Sequence, residues 1–77
     1  MARMYFHCAS ERGALIDPVG IELGGLAEAC DHAGRVAQAL IGTPTLEDWR
    51  SWTVHVTDNH GDGLFDLPFA SALSKPH

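Results

Sequence analysis

The spacing of apolar residues changes twice along this 77-residue chain, and no other feature constrains its fold as strongly. Over residues 3–9, apolar and more polar side chains alternate, which predicts a half-buried strand. Over residues 25–41 the apolar positions recur every three or four residues, which predicts an amphipathic helix of about four turns. Alternation returns over residues 52–58 and predicts another strand. The patterns therefore predict a mixed α+β domain.

Weaker patterns predict the rest of the chain. Residues 14–23 predict a second strand that is interrupted by an Asp-Pro pair, because proline cannot donate a ladder hydrogen bond. Residues 64–67 predict the last strand. Residues 45–48 match the Asp-bearing form of a capping box and predict a short helical turn. Residues 71–77 have little to bury and are expected to fray.

Connection rules assemble these elements into one domain over residues 1–77. The expected fold is ββαββ, with a four-stranded antiparallel sheet in the order 2-1-3-4 and one helix packed on one face. The second strand is expected at an edge of the sheet. The side chains predicted to face the helix are Met4, Phe6, Cys8, Trp52, Val54 and Val56.

The opposite face of this sheet has nothing to cover it. An uncovered face and free edge strands can be covered by a second copy of the chain or by another protein. The side chains on that face are therefore the predicted partner-binding residues: Tyr5, His7, Thr53, His55 and Thr57.

Two of the five histidines are candidate metal ligands. In the predicted sheet, His7 and His55 are opposed on adjacent strands, where Cβ atoms lie about 5 Å apart. Two imidazoles there could hold Zn²⁺ if a neighbouring residue supplied a third ligand. No H-x-x-x-H or C-x-x-C spacing defines such a site, and two solvated strand histidines account for the same residues. No cofactor is predicted.

The run from Asp58 to Gly63 resembles the first half of a calcium loop, D-x-[DN]-x-[DN]-G. It departs from that pattern at His60, and Phe69 occupies the position of the bidentate glutamate. A hairpin loop between the last two strands explains every residue of the run.

No catalytic residue is predicted, and the chain is not expected to be an enzyme. Cys8 belongs to the predicted core face whereas His7 points away from it, so no base adjoins this thiol. The carboxylate pairs lie in loops without an apolar pocket, and no small-molecule substrate is evident. Cys8 and Cys30 both fall within apolar patterns and are expected to be small buried side chains.

Charge narrows the possible partners. Five Lys and Arg residues against ten Asp and Glu give a formal charge of -5, and the basic residues form no cluster. A nucleic-acid partner is therefore not expected, because binding to phosphates requires clustered Lys and Arg. No apolar run approaches the roughly 20 residues of a membrane-spanning helix, and no signal-peptide pattern opens the chain. With only two cysteines, the expected location is the cytoplasm.

Several segments in this order resemble a family of short bacterial proteins classed as a domain of unknown function. They are Arg3-Met4-Tyr5-Phe6-His7, Asp17-Pro18-Val19-Gly20-Ile21-Glu22-Leu23, the Ala-rich helix, Trp52-Thr53-Val54-His55-Val56-Thr57-Asp58 and Leu67-Pro68-Phe69. The resemblance covers about residues 3–70 and implies no catalytic or binding residue. The ββαββ order is also similar to small antitoxins of the HicB type, at the level of topology alone.

The sequence favours a small non-enzymatic protein-interaction module, acting on a protein partner or as a homo-oligomer. One alternative is an antitoxin-like regulatory component that binds a basic partner through its acidic surface. The other is a metal-binding protein that uses the strand histidines His7 and His55.

Overall fold

The computed structural model describes residues 2–45 and 48–73 and has an α+β fold, as the sequence predicts. Five strands, two α-helices and one 3₁₀-helix follow one another along the described chain. In order they are β1 (Ala2–Ser10), β2 (Gly13–Leu15), β3 (Ile21–Leu23), α1 (Leu26–Ile41), the 3₁₀-helix (Trp49–Ser51), β4 (Thr53–Thr57), β5 (Gly63–Pro68) and α2 (Phe69–Leu73).

The sheet is antiparallel, but it contains five strands where four were expected. Its order is β2-β1-β4-β5, and β3 also pairs with β1. The segment expected as one interrupted strand forms two short strands, which pair with opposite ends of β1. The separation follows from Pro18, which has no N–H to donate, and from Asp17, whose side chain replaces the missing strand contacts.

Helix α1 lies close against the sheet through a row of three alanines. Ala29, Ala33 and Ala37 have no exposed surface, and the helix contacts β1, β4 and β5. A methyl group is the only side-chain atom between the two backbones at these positions, so the layers approach closely. The predicted core face is confirmed, since all of its members are buried under the helix: Met4, Phe6, Cys8, Trp52, Val54 and Val56.

The end of the described chain is more ordered than the sequence suggests. Residues 71–73, expected to fray, complete α2, while residues 74–77 lie outside the described residues. Phe69, two residues beyond the predicted last strand, begins α2 and is fully buried. Its ring centroid lies 5.8 Å from that of Trp49 and 6.4 Å from that of Trp52. The three aromatic rings pack against one another and belong to the hydrophobic core or its border.

The short helical turn predicted at residues 45–48 does not precede Trp49: a 3₁₀-helix occupies Trp49–Ser51, with Asp48 before its first residue. The Asp48 carboxylate accepts a hydrogen bond from the Arg50 backbone N–H at 3.1 Å and so acts as the N-cap. Residues 46–47 of the predicted capping box lie outside the described residues. Among the helices that the structure describes, none has both the length and the apolar character needed to cross a bilayer.

Enlarging the alanine row should separate the two layers. We expect Ala33→Leu to lower the free energy of unfolding by about 1–3 kcal/mol, because a fully buried methyl has no space for three more carbons. Urea denaturation followed by tryptophan fluorescence measures this change.

The matched control is Ala39→Leu, which makes the same substitution at an exposed position of α1. Its effect should stay within about 0.5 kcal/mol. Equal losses in the two variants would contradict the tight packing of α1 on the sheet.

Candidate functional site

The structure brings the five predicted partner-binding residues together on one face of the sheet. Tyr5 pairs with Thr57, His7 with His55 and Ala9 with Thr53 in the register of β1 and β4. Each of the five side chains is half-buried, and α1 lies on the opposite side. We call this surface the open face: Tyr5, His7, Thr53, His55 and Thr57. Antiparallel sheets commonly leave one such face to solvent.

The two histidines of the open face have different partners. The Nδ1 atom of His55 lies 2.8 Å from Oδ1 of Asp66, which is the residue opposite it on β5. The Nδ1 atom of His7 accepts a hydrogen bond from the Asp17 backbone N–H at 3.0 Å. That bond assigns the ring proton of neutral His7 to Nε2.

This arrangement gives little support to a metal site at the histidine pair. The Nδ1 lone pair of His7 is already used, and its Nε2 carries a proton, so neither nitrogen is free to bind a cation. Within residues 2–45 and 48–73, no group of three or more His, Cys, Asp or Glu side chains could hold an ion. His7 acts instead as a structural acceptor.

Asp17 is the residue at this site that sequence reasoning missed. One of its carboxylate oxygens accepts hydrogen bonds from the backbone N–H groups of Val19 (3.1 Å) and Gly20 (3.0 Å), and the other accepts from Phe6 (3.2 Å). Partial burial acts to raise the pKa of Asp17, but the hydrogen bonds from the backbone N–H groups of Gly20, Phe6 and Val19 outweigh it and lower the pKa. The carboxylate therefore joins the loop after β2 to the middle of β1.

The same loop is held at its other end. The Arg3 guanidinium donates a hydrogen bond to the Val19 carbonyl at 2.7 Å. Gly20 has a φ of 72°, and a Cβ atom there would lie 2.9 Å from both the Met4 carbonyl oxygen and the Tyr5 ring. Only glycine fits this contact. The loop is thus fixed against the border of the open face.

Fixing the loop leaves its apolar side chains in solvent. Ile16 is 67% exposed and Val19 is 68% exposed, the two largest values among the large hydrophobic residues of the described chain. Both lie beside Asp17, within residues 16–20, which we call the Asp17 loop. The sequence signal for this loop was its Asp-Pro-Val-Gly turn chemistry, which predicts a break in a strand and not a rigid, apolar projection.

The two cysteines differ in their surroundings. Cys8 is buried, as predicted, and burial together with the negative charge of Asp17 raises the pKa of its thiol, which makes it a poor nucleophile. Cys30 was expected to be buried, and this prediction is wrong: it is a free, exposed cysteine.

The run from Asp58 to Gly63 forms a hairpin loop between β4 and β5. The Asp58 carboxylate accepts hydrogen bonds from the backbone N–H groups of His60 (2.8 Å) and Asp62 (3.0 Å), which lower its pKa. Gly61 has a φ of 87° at the tip of the turn. This carboxylate is therefore used to close the loop.

The fold and the open face define a small α+β domain with one covered and one uncovered sheet face. The sequence matches the family described as Domain of unknown function (DUF6894) over residues 3–70, and the chain belongs to that family. The resemblance seen in the sequence is thereby confirmed. No curated protein and no solved structure matches the chain.

The Asp17 carboxylate should make stability depend on pH. Asp17→Asn leaves one side-chain oxygen, which can accept either from Phe6 or from Val19 and Gly20, but not from both sides. We therefore expect the free energy of unfolding to fall by about 1–3 kcal/mol at neutral pH. The pKa of Asp17 is lower in the folded state than its value of about 3.9 in the unfolded state, so the ionised carboxylate stabilises the fold above about pH 4. This stabilisation is lost as the pH falls through the pKa of the folded state.

The difference between the wild type and Asp17→Asn should therefore shrink below about pH 4. Chemical denaturation at a series of pH values measures it. Asp31→Asn, which removes an exposed carboxylate paired only with Arg35 on its own helix, is the control and should cost at most about 0.5 kcal/mol. An Asp17→Asn variant as stable as the wild type at neutral pH would refute the anchoring role.

Proposed function

We propose that this chain is a non-enzymatic protein-interaction module whose contact surface is the open face together with the Asp17 loop. The observation that carries the proposal is the rigid loop itself. It presents two highly exposed aliphatic side chains, Ile16 and Val19, at the border of a half-buried sheet face on the side away from α1.

The anchoring of the loop favours binding on energetic grounds. Ordering a flexible loop at an interface opposes association, and a loop fixed in advance avoids this loss. Asp17 and Arg3 already hold the loop by hydrogen bonds to its backbone. Little of the free energy gained by burying Ile16 and Val19 in a partner is then offset by the cost of ordering the loop, so the affinity is higher.

The chemistry of the surface also suits a protein partner. Interfaces combine a few apolar anchors with a polar surround that can hydrogen-bond. The aliphatic side chains of the Asp17 loop supply the anchors, and the threonine hydroxyls and histidine rings of the open face supply the polar groups. Cys8 and Cys30 are both free thiols, which suits a reducing compartment such as the cytoplasm.

A second candidate is a regulatory component that binds a basic partner. A cleft of about 280 Å³ between β3 and α1 is lined by the apolar Ile21 and Leu23. The carboxylates of Glu28 and Asp31 also line it, beside the single cation of Arg35. Together with the formal charge of -5, it favours a partner with Lys or Arg beside apolar residues. Such binding would weaken steeply as salt is added, whereas binding through the Asp17 loop would change little.

Photo-crosslinking in cells tests the main proposal. A benzophenone amino acid in place of Tyr5 should form an adduct with the partner, and the double variant Ile16→Ser/Val19→Ser should abolish it. Because the serines replace exposed side chains, the free energy of unfolding should change by less than about 0.5 kcal/mol.

Two controls define the surface. Leu26→Ser changes another exposed aliphatic residue, at the start of α1 on the other side of the sheet, and should leave the adduct intact. The same photoreactive residue at the exposed position Ala39 on α1 should give no adduct. The absence of any adduct from position 5, or an adduct that survives the double serine variant, would sink the proposal.

A further inference from the structure

A groove of about 560 Å³ runs along the flank of α1 that faces away from the Asp17 loop. Its α1 wall includes Ala27, Cys30 and Gly34, and its other wall includes Leu67 of β5 and Ala72 of α2. The groove opens beside β5, which pairs only with β4 among the described strands. It is separate from the open face, which lies on the other side of the sheet.

Gly34 at the centre of this groove has no explanation within the described chain. Glycine in the interior of a helix costs about 1 kcal/mol relative to alanine. A Cβ atom at position 34 would meet nothing within 4 Å, so neither the sheet nor α2 requires its absence. Glycine on a helix surface allows a second backbone to approach closely. The residue therefore suits a contact that residues 2–45 and 48–73 do not make.

The charges beside Gly34 favour a second copy of this chain as that contact. Asp31 and Arg35 form an exposed ion pair one turn apart, with 3.2 Å between Oδ2 and the guanidinium nitrogen. When two α1 helices pack antiparallel about a two-fold axis near the middle of the groove, Asp31 of each copy comes beside Arg35 of the other. The groove wall is thus complementary in charge to itself, although the whole chain is acidic.

We infer that the chain forms a symmetric dimer in which the α1 helices of two copies pack against each other at Gly34. The small residues of the groove wall permit an interaxial distance at the lower end of the usual range of about 8–10 Å. The open faces of the two copies then remain free. A dimer of this kind would present two open faces and bind a repeated partner with increased avidity.

Substitutions at Gly34 test the inference without endangering the fold. Gly34→Gln adds a side chain where the described part of the chain leaves space, and glutamine is a better helix former, so thermal stability should not fall. Sedimentation velocity over a range of concentrations should show a dimer for the wild type and at least tenfold weaker dimerisation for the variant. Ala39→Gln adds the same side chain at an exposed position outside the groove and should leave dimerisation unchanged.

Charge reversal identifies the register. Asp31→Arg alone or Arg35→Asp alone should weaken the dimer, and the two together should restore it, because the double swap recreates both opposed pairs. Cys30 is the one exposed cysteine of the chain and lies in the same wall, so a short bismaleimide should crosslink two wild-type copies and fail with Gly34→Gln.

A protein that stays monomeric at high micromolar concentration overturns the inference. A dimer that is equally strong in Gly34→Gln overturns it as well, because such a dimer uses another surface. Neither result affects the proposed role of the open face, whose test uses the Asp17 loop and position 5.

Discussion

The fold depends on how closely α1 approaches the sheet. Three alanine methyl groups separate the helix backbone from the strands, and on either side of them the larger residues of β1 and β4 fill the remaining volume. A chain this small buries roughly 60% of the surface that it exposes when unfolded, so its single core provides little stability beyond what folding requires. Because the helix covers a single face, the other face is left accessible to a partner, and the proposed interaction surface follows from that asymmetry.

Much of this arrangement could be predicted because the spacing of apolar residues along the sequence reveals it. Alternation along β1 and β4 placed Phe6 and Val54 on the covered face and His7 and His55 opposite one another on the open face. The spacing of Ala29, Ala33 and Ala37 placed the helix over the core side. Patterns of this kind indicate the face on which a side chain lies, and that face determines whether the side chain is buried.

What could not be predicted depends on contacts between distant residues. The bonds from Asp17 to Phe6 and His7 join residues ten or eleven positions apart, and no local pattern distinguishes them from an ordinary turn. Cys30 follows the apolar period of α1, but it lies beside the alanine row and lines a groove next to β5 and α2, so the thiol is exposed. Phe69 continues the alternation of β5, yet its N–H bonds to the Trp52 carbonyl at 2.9 Å and turns the chain into α2.

The division of the edge strand also affects how the protein behaves at high concentration. Strands at a sheet edge are templates on which other chains can polymerise into aggregates. Here the outer side of β1 is occupied by two three-residue strands, and between them the Phe6 N–H is bonded to a carboxylate instead of a strand carbonyl. No long run of main-chain groups is left on that side for an incoming strand. The Asp17 loop thus divides this border of the sheet into two three-residue edges, each too short to be a good template for a growing fibril, while its aliphatic side chains stay in solvent.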